Sequence, residues 1–311
     1  MQNNAIYMRS LIQTMAGKAI RDLRSGGERE LRNVMELCKG RSPRPGYRKF
    51  WNMLEESLRV PGQRYGALLA RAANDVDIHC LKTLVANLGI PAYTDGSDPQ
   101  RNSQDIETAS AYWMEPLDGT MEPEPLDGTM EPEPLHRSVA AFQQQGTSTF
   151  FVRVGQEREL KALLNLAGRY RQCVFVPICR GTACCPADLE EMAALGNVVP
   201  LLGYPDLPSL AGQLKDAGIL FGFHRRYTEI EGLEAEERML HQYTAAGCFL
   251  GVYEGSRQTA NDNQDRLYYT KLQELRRNGT KEIILCDLWR DREQVQMLLH
   301  PQSRPENKFE E

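Results

Sequence analysis

The sequence predicts an α/β domain of parallel strands preceded by an α-helical domain. Short runs of β-branched and aromatic residues alternate with segments of helical periodicity from residue 109 onward, whereas residues 1–91 show helical periodicity throughout. Such alternation is typical of parallel strands covered by helices. An open or closed (βα) barrel and a doubly wound sheet both produce this alternation, so periodicity alone leaves both architectures open.

Residues 1–91 are predicted to form the α-helical N-terminal domain. Apolar side chains recur every three or four residues, and turns rich in Pro and Gly interrupt them at 43–46 and 61–62. This part carries 15 Lys and Arg against eight Asp and Glu, a net charge of +7, which leaves −12 for the rest of the chain. The charges are scattered over helices without interleaved aromatic residues. This favours a solvated or inter-domain face and argues against nucleic-acid binding.

A polar, turn-rich linker at 92–108 separates the helices from the α/β domain, which is predicted over 109–295 and followed by a C-terminal tail at 296–311. Pro186 is expected in the first turn of one helix of this domain, and Gly196 is expected to end that helix. Seven strands are predicted, at 112–114, 150–154, 173–179, 198–203, 219–223, 248–253 and 283–288.

The loop after the first predicted strand contains the sequence EPLDGTMEP twice in tandem, followed by EPL, over 115–135. It is rich in Pro and Glu and contains no Cys, His or Lys. Loops after strands carry the chemistry of many α/β proteins, but prolines lack the amide donors that a phosphate site needs. Exact tandem copies are typical of recent duplication in a solvated loop, and a selected function is the alternative. In both cases we expect that the loop has lost an earlier role.

The composition is that of an ordinary globular protein, with 41% hydrophobic and 25% charged residues among 311. No run of 18 or more apolar residues occurs, and the N-terminus lacks the pattern of a secretory signal. We therefore expect a cytoplasmic protein without a membrane segment. Eight cysteines without a CxxC pair fit neither a zinc ribbon nor a secreted disulfide framework.

Seven short sequences stand out by their order along the chain. They are Asp75 to Asn87, Met114-Glu115-Pro116 at the end of the first predicted strand, Phe150 to Glu157, Cys179 to Thr182, Gly196 to Pro200, Gly222-Phe223 with Tyr227-Thr228, and Asp287 to Asp291. In this order they resemble motifs of the radical S-adenosylmethionine (radical SAM) enzymes, in particular clostridial members with a helical segment before the barrel, whose first strand ends in Met-Asp-Pro. The resemblance implies a partial (βα) barrel of the radical SAM type.

The chain departs from this family at its iron–sulfur motif. Radical SAM enzymes carry CxxxCxxC after the first strand, and the three thiolates bind three irons of a [4Fe–4S] cluster whose fourth iron binds SAM. Here the repeat occupies that loop, and its carboxylate and thioether side chains cannot replace three soft thiolates. A [4Fe–4S] cluster is therefore not expected. Without it, no electron reaches SAM to cleave its C–S bond.

The resemblance also implies a pocket for a SAM-like cofactor at the carboxyl ends of the strands. Gln156 replaces a glycine whose missing side chain lets the cofactor's amino group approach the backbone, which weakens the match. His224 and Arg226 end the fifth strand, and strand alternation sends both side chains to the same side. The residues expected to bind the cofactor are Gly155, Gln156, Glu157, Thr182, His224 and Arg226.

Tyr253, Glu254 and Asp287 are expected to complete this polar pocket. An arginine would pair with a carboxylate or phosphate of the ligand, and Glu157 with an amine. The alternative is that Arg225 and Arg226 pair with neighbouring acidic side chains at the rim of the domain.

Cys179, Cys184 and Cys185 form a CxxxxCC group at the end of the third predicted strand. Adjacent cysteines project in different directions, and the spacing matches no standard cluster loop, so no metal site is assigned. A reactive thiol is favoured instead, because Arg180 and a helix beginning at Pro186 would stabilise a thiolate. The motifs GxGxxG, GKS/T, HExxH and GxSxG are absent from the sequence.

The leading functional hypothesis is a catalytically degenerate radical-SAM-like protein that acts as a binding or regulatory partner of a catalytic relative or a peptide. The alternative is an enzyme that uses Cys179, Cys184 and Cys185 as unusual cluster ligands, or that works without a cluster. A third hypothesis is a structural adaptor whose basic helices contact an acidic protein. The three differ in iron content, in SAM binding and in the salt dependence of association.

Overall fold

The structure is a computed structural model of the whole chain. It describes residues 2–41, 52, 55, 64–94, 111–114, 133–144, 147–179, 185–203, 207–230, 232–255, 262–278 and 282–291.

A parallel sheet of seven strands, arranged in the order β1 to β7, forms the centre of the protein. Every neighbouring pair is parallel. This confirms the α/β class. The strands are β1 (Ala111–Met114), β2 (Thr149–Val154), β3 (Val174–Cys179), β4 (Leu201–Leu202), β5 (Gly222–Arg226), β6 (Leu250–Glu254) and β7 (Ile284–Asp287).

Helices alternate with these strands and also precede them. The N-terminal helices are α1 (Gln2–Arg24), α2 (Arg29–Arg41), α3 (Arg64–Asp75) and α4 (Ile78–Thr94). Those between strands are α5 (Glu133–Gln144), α6 (Glu157–Arg169), α7 (Pro186–Leu195), α8 (Leu207–Asp216), α9 (Leu233–Ala245) and α10 (Asp262–Asn278). The predicted ends of α7 are confirmed, with Pro186 in its first turn and Gly196 in the left-handed conformation (φ +68°) that ends it.

All six helices between strands pack on the same face of the sheet. Each contributes buried residues to one apolar core, for example Val139, Leu160, Met192, Leu214, Leu240 and Leu272. The sheet contributes outward-facing residues such as Phe150, Phe175 and Phe223 to that core. In a doubly wound sheet the helices would divide between both faces. The sheet is instead wound in one direction and curls into a half-barrel.

The concave face of the half-barrel is lined with apolar side chains near the middle of the strands. Val176, Ile178, Leu201 and Val252 form a second core there, together with Leu84 from α4. Leu84 is 6% exposed and therefore belongs to the interior of the half-barrel. The N-terminal helices thus supply part of the core of the sheet.

Polar contacts join the N-terminal helices to the segments that lead into the strands. The amide of Asp77 donates to the carbonyl of Gly218 at 2.8 Å, shortly before β5. Asn87 Nδ2 donates to the carbonyl of Cys173 at 3.0 Å, directly before β3. Arg71 Nη2 donates to the carbonyl of Cys248 at 2.7 Å, before β6. The helices therefore cover the amino-terminal edge of the sheet and leave its carboxyl-terminal edge to the loops.

Several predicted segments fall partly outside the described residues. Helix α4 continues to Thr94, into the predicted linker, and 95–110 lies outside the description, as do 115–132 of the repeat loop and the tail at 296–311. The last EPL of the repeat begins α5 at Glu133. Among the described helices, none combines the length and the apolar character needed to cross a membrane.

Candidate ligand-binding site

Four charged or ionisable side chains meet on the concave face, near the carboxyl ends of the strands. Glu254 of β6 is their centre: His224 Nε2 lies 3.0 Å from Glu254 Oε2, and Arg153 of β2 forms an ion pair with the other carboxylate oxygen. Arg226 Nε lies 4.0 Å from Glu254 Oε2. We refer to Arg153, His224, Arg226 and Glu254 as the Glu254 cluster.

Strand alternation and register bring the cluster together. His224 and Arg226 are two residues apart on β5, so both point to the concave face, and Arg226 is the register partner of Glu254 on β6. The sequence-based prediction that these two side chains share a side is confirmed by their contacts with Glu254.

Burial and charge in the cluster differ from one member to the next. The side chains of His224 and Glu254 are 3% and 7% exposed, whereas that of Arg226 is 41% exposed. Burial alone would raise the pKa of the Glu254 carboxyl, but the hydrogen bond from His224 and the charges of Arg153 and Arg226 outweigh it and lower the pKa. Glu254 is therefore ionised at neutral pH. Two guanidinium groups against one carboxylate leave the cluster with excess positive charge.

Apolar side chains lie next to the cluster on the same face. Ile178, Leu201 and Val252 are buried there, and Phe151 and Trp289 pack partly buried against them. The concave face therefore combines an apolar wall with a positively charged patch at the strand ends. This combination is typical of sites for small organic molecules, which use an apolar lining and a few placed polar groups.

Gly155, Gln156 and Glu157 lie at the exposed junction between β2 and α6. The amides of Gly155 and Gln156 donate to Glu159 Oε2 at 2.8 and 3.2 Å, so this carboxylate already satisfies them. Glu157 pairs with Lys161 one helical turn later. The structure does not bring these three residues into contact with the Glu254 cluster.

Tyr253 and Asp287 face the opposite side of the sheet, which corrects the expectation that they line the same pocket as Glu254. Tyr253 donates its hydroxyl hydrogen bond to Glu236 of α9, and Asp287 accepts one from Tyr227. The reason is alternation, since Tyr253 and Glu254 are adjacent on one strand and must point to opposite faces. Burial and the neighbouring Glu236 raise the pKa of Tyr253, so this hydroxyl stays protonated.

The cysteines of the CxxxxCC group do not form a thiolate site in the described part of the chain. Cys179 is buried in the core between the sheet and its helices, on the face away from the Glu254 cluster. Cys185 caps the start of α7, where its amide donates to Asp188 Oδ2 at 2.8 Å. Thr182 and Cys184 lie outside the described residues. Among the described residues, no three His, Cys, Asp or Glu side chains are grouped so that they could hold a metal ion.

The residues of the loop 115–135 do not fit a [4Fe–4S] cluster, since this segment contains no cysteine. Cys179, which the structure describes, points away from the concave face where the other candidate residues meet. Carboxylates and thioethers do not supply the thiolate ligands that such clusters require.

Arg153 is the functional candidate that sequence reasoning missed. It lies within the apolar strand β2, two residues after Phe151, and a charged residue at an inward position of a strand is the signal that would have identified it. What the sequence does not show is its partner, because Glu254 lies 101 residues later.

Scans against protein-family models, curated protein sequences and solved structures gave no match for this chain. The resemblance to the radical SAM enzymes therefore rests on the short sequence motifs alone.

Proposed function

We propose that this protein is a catalytically degenerate radical-SAM-like half-barrel that binds a small molecule or a peptide on its concave face and acts as a binding or regulatory partner in the cytoplasm. The observation that carries the proposal is the Glu254 cluster, which gathers residues of β2, β5 and β6 at the carboxyl ends of parallel strands. In open and closed α/β sheets, this edge is where ligands bind.

The energetics of the cluster favour a binding role over a structural one. Taking Glu254 and His224 out of water costs desolvation energy, and well-packed apolar residues in place of a buried ion pair are often neutral or stabilising. The sheet already has two apolar cores, one on each face, and does not need these charges to hold its strands.

The absence of radical chemistry is supported by the sequence of the loop after β1. Cleavage of the SAM sulfonium requires a cluster that donates one electron, and the chain offers Glu, Asp and Met in place of three thiolates at the expected position. The alternative enzyme with ligands from the CxxxxCC group gains no support from Cys179, which faces away from the concave side.

The binding part of the proposal is tested by calorimetric titration of the full chain with SAM and S-adenosylhomocysteine. We expect saturable binding of at least one of them to the wild type and to Arg238→Ala, an exposed arginine on α9 that serves as a matched control. Binding should weaken in Arg226→Ala. A flat titration with both compounds would remove the SAM-like pocket from the proposal.

The catalytic part is tested by anaerobic reconstitution with iron and sulfide. We expect less than stoichiometric iron and no 5′-deoxyadenosine from SAM under reducing conditions. Replacing Cys179, Cys184 and Cys185 with Ser should leave the iron content unchanged. A stoichiometric cluster that is lost in this triple variant would favour the enzyme instead.

A further inference from the structure

We infer that the concave face selects an organic oxyanion, a carboxylate or phosphate group attached to an apolar body, and that Glu254 is the internal counter-ion of this site. The inference rests on the proposed function only in that the concave face binds a ligand; it names the chemical class of that ligand. The structural basis is the excess positive charge of the Glu254 cluster beside an apolar wall.

Charge determines the sign of the ligand. Two carboxylates occur on the seven strands, Glu254 and Asp287, and Asp287 faces the outer side, where it accepts hydrogen bonds from Tyr227 and from the amides of Trp289 and Arg290. On the described concave strands, Glu254 is therefore the one carboxylate, and it is already engaged by Arg153 and His224. A cationic group of a ligand would meet the guanidinium of Arg226 there, whereas an anionic group would pair with it.

Arg226 is the residue placed to receive the anion. In the described part of the chain its one ion pair is the long approach of Nε to Glu254 at 4.0 Å, and 41% of its side chain is exposed at the end of β5. An arginine fork binds carboxylate and phosphate oxygens through two parallel N–H donors, a geometry that lysine cannot reproduce. Arg153, at 24% exposure, forms an ion pair with the other carboxylate oxygen of Glu254, which leaves less of that negative charge to balance Arg226.

The apolar side chains beside the Glu254 cluster favour a ligand that carries an apolar group next to its oxyanion. Phe151 and Trp289 are partly buried beside Ile178, Leu201 and Val252 and present apolar surface on the face to which the cluster belongs. Covering such surface with an apolar group is favourable in proportion to the area removed from water. A bare inorganic anion would leave this contribution unused.

Ligand-observed NMR on the full chain tests the inference with three probes of similar shape: benzoate, phenyl phosphate and the neutral benzamide. We expect benzoate, phenyl phosphate or both to bind the wild type and Arg238→Ala at least about tenfold more tightly than benzamide, because the charged hydrogen bonds are missing from benzamide. Whichever of the two anions binds more tightly identifies the oxyanion. Equal binding of all three probes, or of none, would overturn the inference.

Substitutions at Arg226 and Glu254 should change the affinity for the anion in opposite directions. This distinguishes a binding site from a cluster that serves only the stability of the fold. Arg226→Ala should weaken binding of the anion about tenfold or more, and Arg226→Lys should restore it only in part. Glu254→Gln should strengthen anion binding, because it removes the competing negative charge while it keeps a similar shape. A Glu254→Gln variant that melts like the wild type and binds the anion more weakly would contradict the inference, and Arg226→Ala decides the case if Glu254→Gln does not fold.

Failure of this inference and failure of the proposed function give different results. In one outcome, SAM or S-adenosylhomocysteine binds with the same affinity to the wild type and to Arg226→Ala, while benzoate and phenyl phosphate do not bind. The concave face then still binds a ligand, but the inferred oxyanion class is wrong. If the aryl anions bind through Arg226 while both SAM compounds fail, the oxyanion site stands and the SAM-like form of the proposed function is wrong.

Discussion

Arg153 of β2 and Glu254 of β6 form an ion pair across the concave face, although three other strands lie between theirs. In a flat sheet with strands about 4.8 Å apart, the backbones of these two strands would be separated by about 19 Å. Side chains of Arg and Glu do not span that distance. The ion pair is therefore a direct consequence of the curl of the sheet, which brings side chains of β2 and β6 within contact distance.

Breaking this ion pair should destabilise the protein. Arg153→Ala leaves the buried Glu254 with His224 and the more distant Arg226, and we expect a loss of about 1–3 kcal/mol in the free energy of unfolding, measured by urea denaturation. The double variant Arg153→Ala/Glu254→Gln should lose less unfolding free energy than the sum of the losses in the two single variants, because it no longer buries an unpaired charge. Strictly additive effects would show that the two side chains do not interact.

Glu254 should contribute to the decrease of the unfolding free energy at acidic pH. Its pKa is lowered in the folded state relative to an ordinary value of 4.5, so the folded protein binds this proton less tightly than the unfolded chain. The resulting stabilisation is fully present above about pH 4.5 and is lost as the pH falls through the folded pKa. Glu254→Gln should therefore flatten the acid limb of a plot of unfolding free energy against pH.

Glu236 provides a control for that experiment, because its pKa is shifted in the opposite direction to that of Glu254. Burial raises its pKa above 4.5, against the smaller opposing effects of the hydrogen bond from Tyr253 and the charge of Arg225. Its contribution to stability is thus present at low pH and is lost as the pH rises above 4.5. Glu236→Gln should make stability rise more steeply between pH 4.5 and 7 than in the wild type. Parallel curves for both variants would contradict the assigned directions.

Local patterns predicted much of the sheet, and the alternation on β5 correctly placed His224 and Arg226 on one side. The fifth strand nevertheless lies later than its predicted range 219–223, because Gly222–Arg226 pairs with β6 and its polar residues lack the apolar signal on which the prediction depended. Pairing with β6 along the whole length of β5 outweighs the weak intrinsic strand preference of these polar residues.

The contacts that complete the site could not be predicted from local sequence patterns. Arg153 and Glu254 meet only because the sheet curls, and Asn87 reaches the entrance of β3 from a helix that the sequence assigned to another domain. Such pairs are separated by 101 and 86 residues, and periodicity carries no information about them. The sequence could therefore indicate which residues face inward but not which of them touch.

Arg71 should be an important link between the N-terminal helices and the sheet. Its Nη2 donates to the carbonyls of Cys248 and Glu282 at 2.7 Å each, before β6 and β7, and its guanidinium lies 4.4 Å from the centre of the Phe249 ring. Arg71→Ala should lower the free energy of unfolding by about 2 kcal/mol, measured by urea denaturation.

The matched control for Arg71 is Arg32→Ala. Arg32 pairs with Glu28 on the exposed side of α2, with 63% of its side chain exposed. Its replacement should change stability by less than about 0.5 kcal/mol. A similar loss in both variants would mean that the contacts of Arg71 with the strand entrances add nothing beyond an ordinary surface arginine.

Gly251 of β6 should tolerate no side chain, because its outward face is closed by neighbouring residues. A Cβ at this position would lie 2.8 Å from Leu285 Cδ2 and would also collide with the ring of Phe223, which is fully buried. Gly251→Ala should cost about 1–3 kcal/mol through overpacking. Gly212, on the exposed side of α8, has no atom within 4 Å of the corresponding position, so Gly212→Ala should instead stabilise the protein by up to about 1 kcal/mol. Thermal melts of the two variants should therefore shift in opposite directions, and a melting temperature of Gly251→Ala at or above that of the wild type would show that the sheet and its helices are packed less closely than the structure indicates.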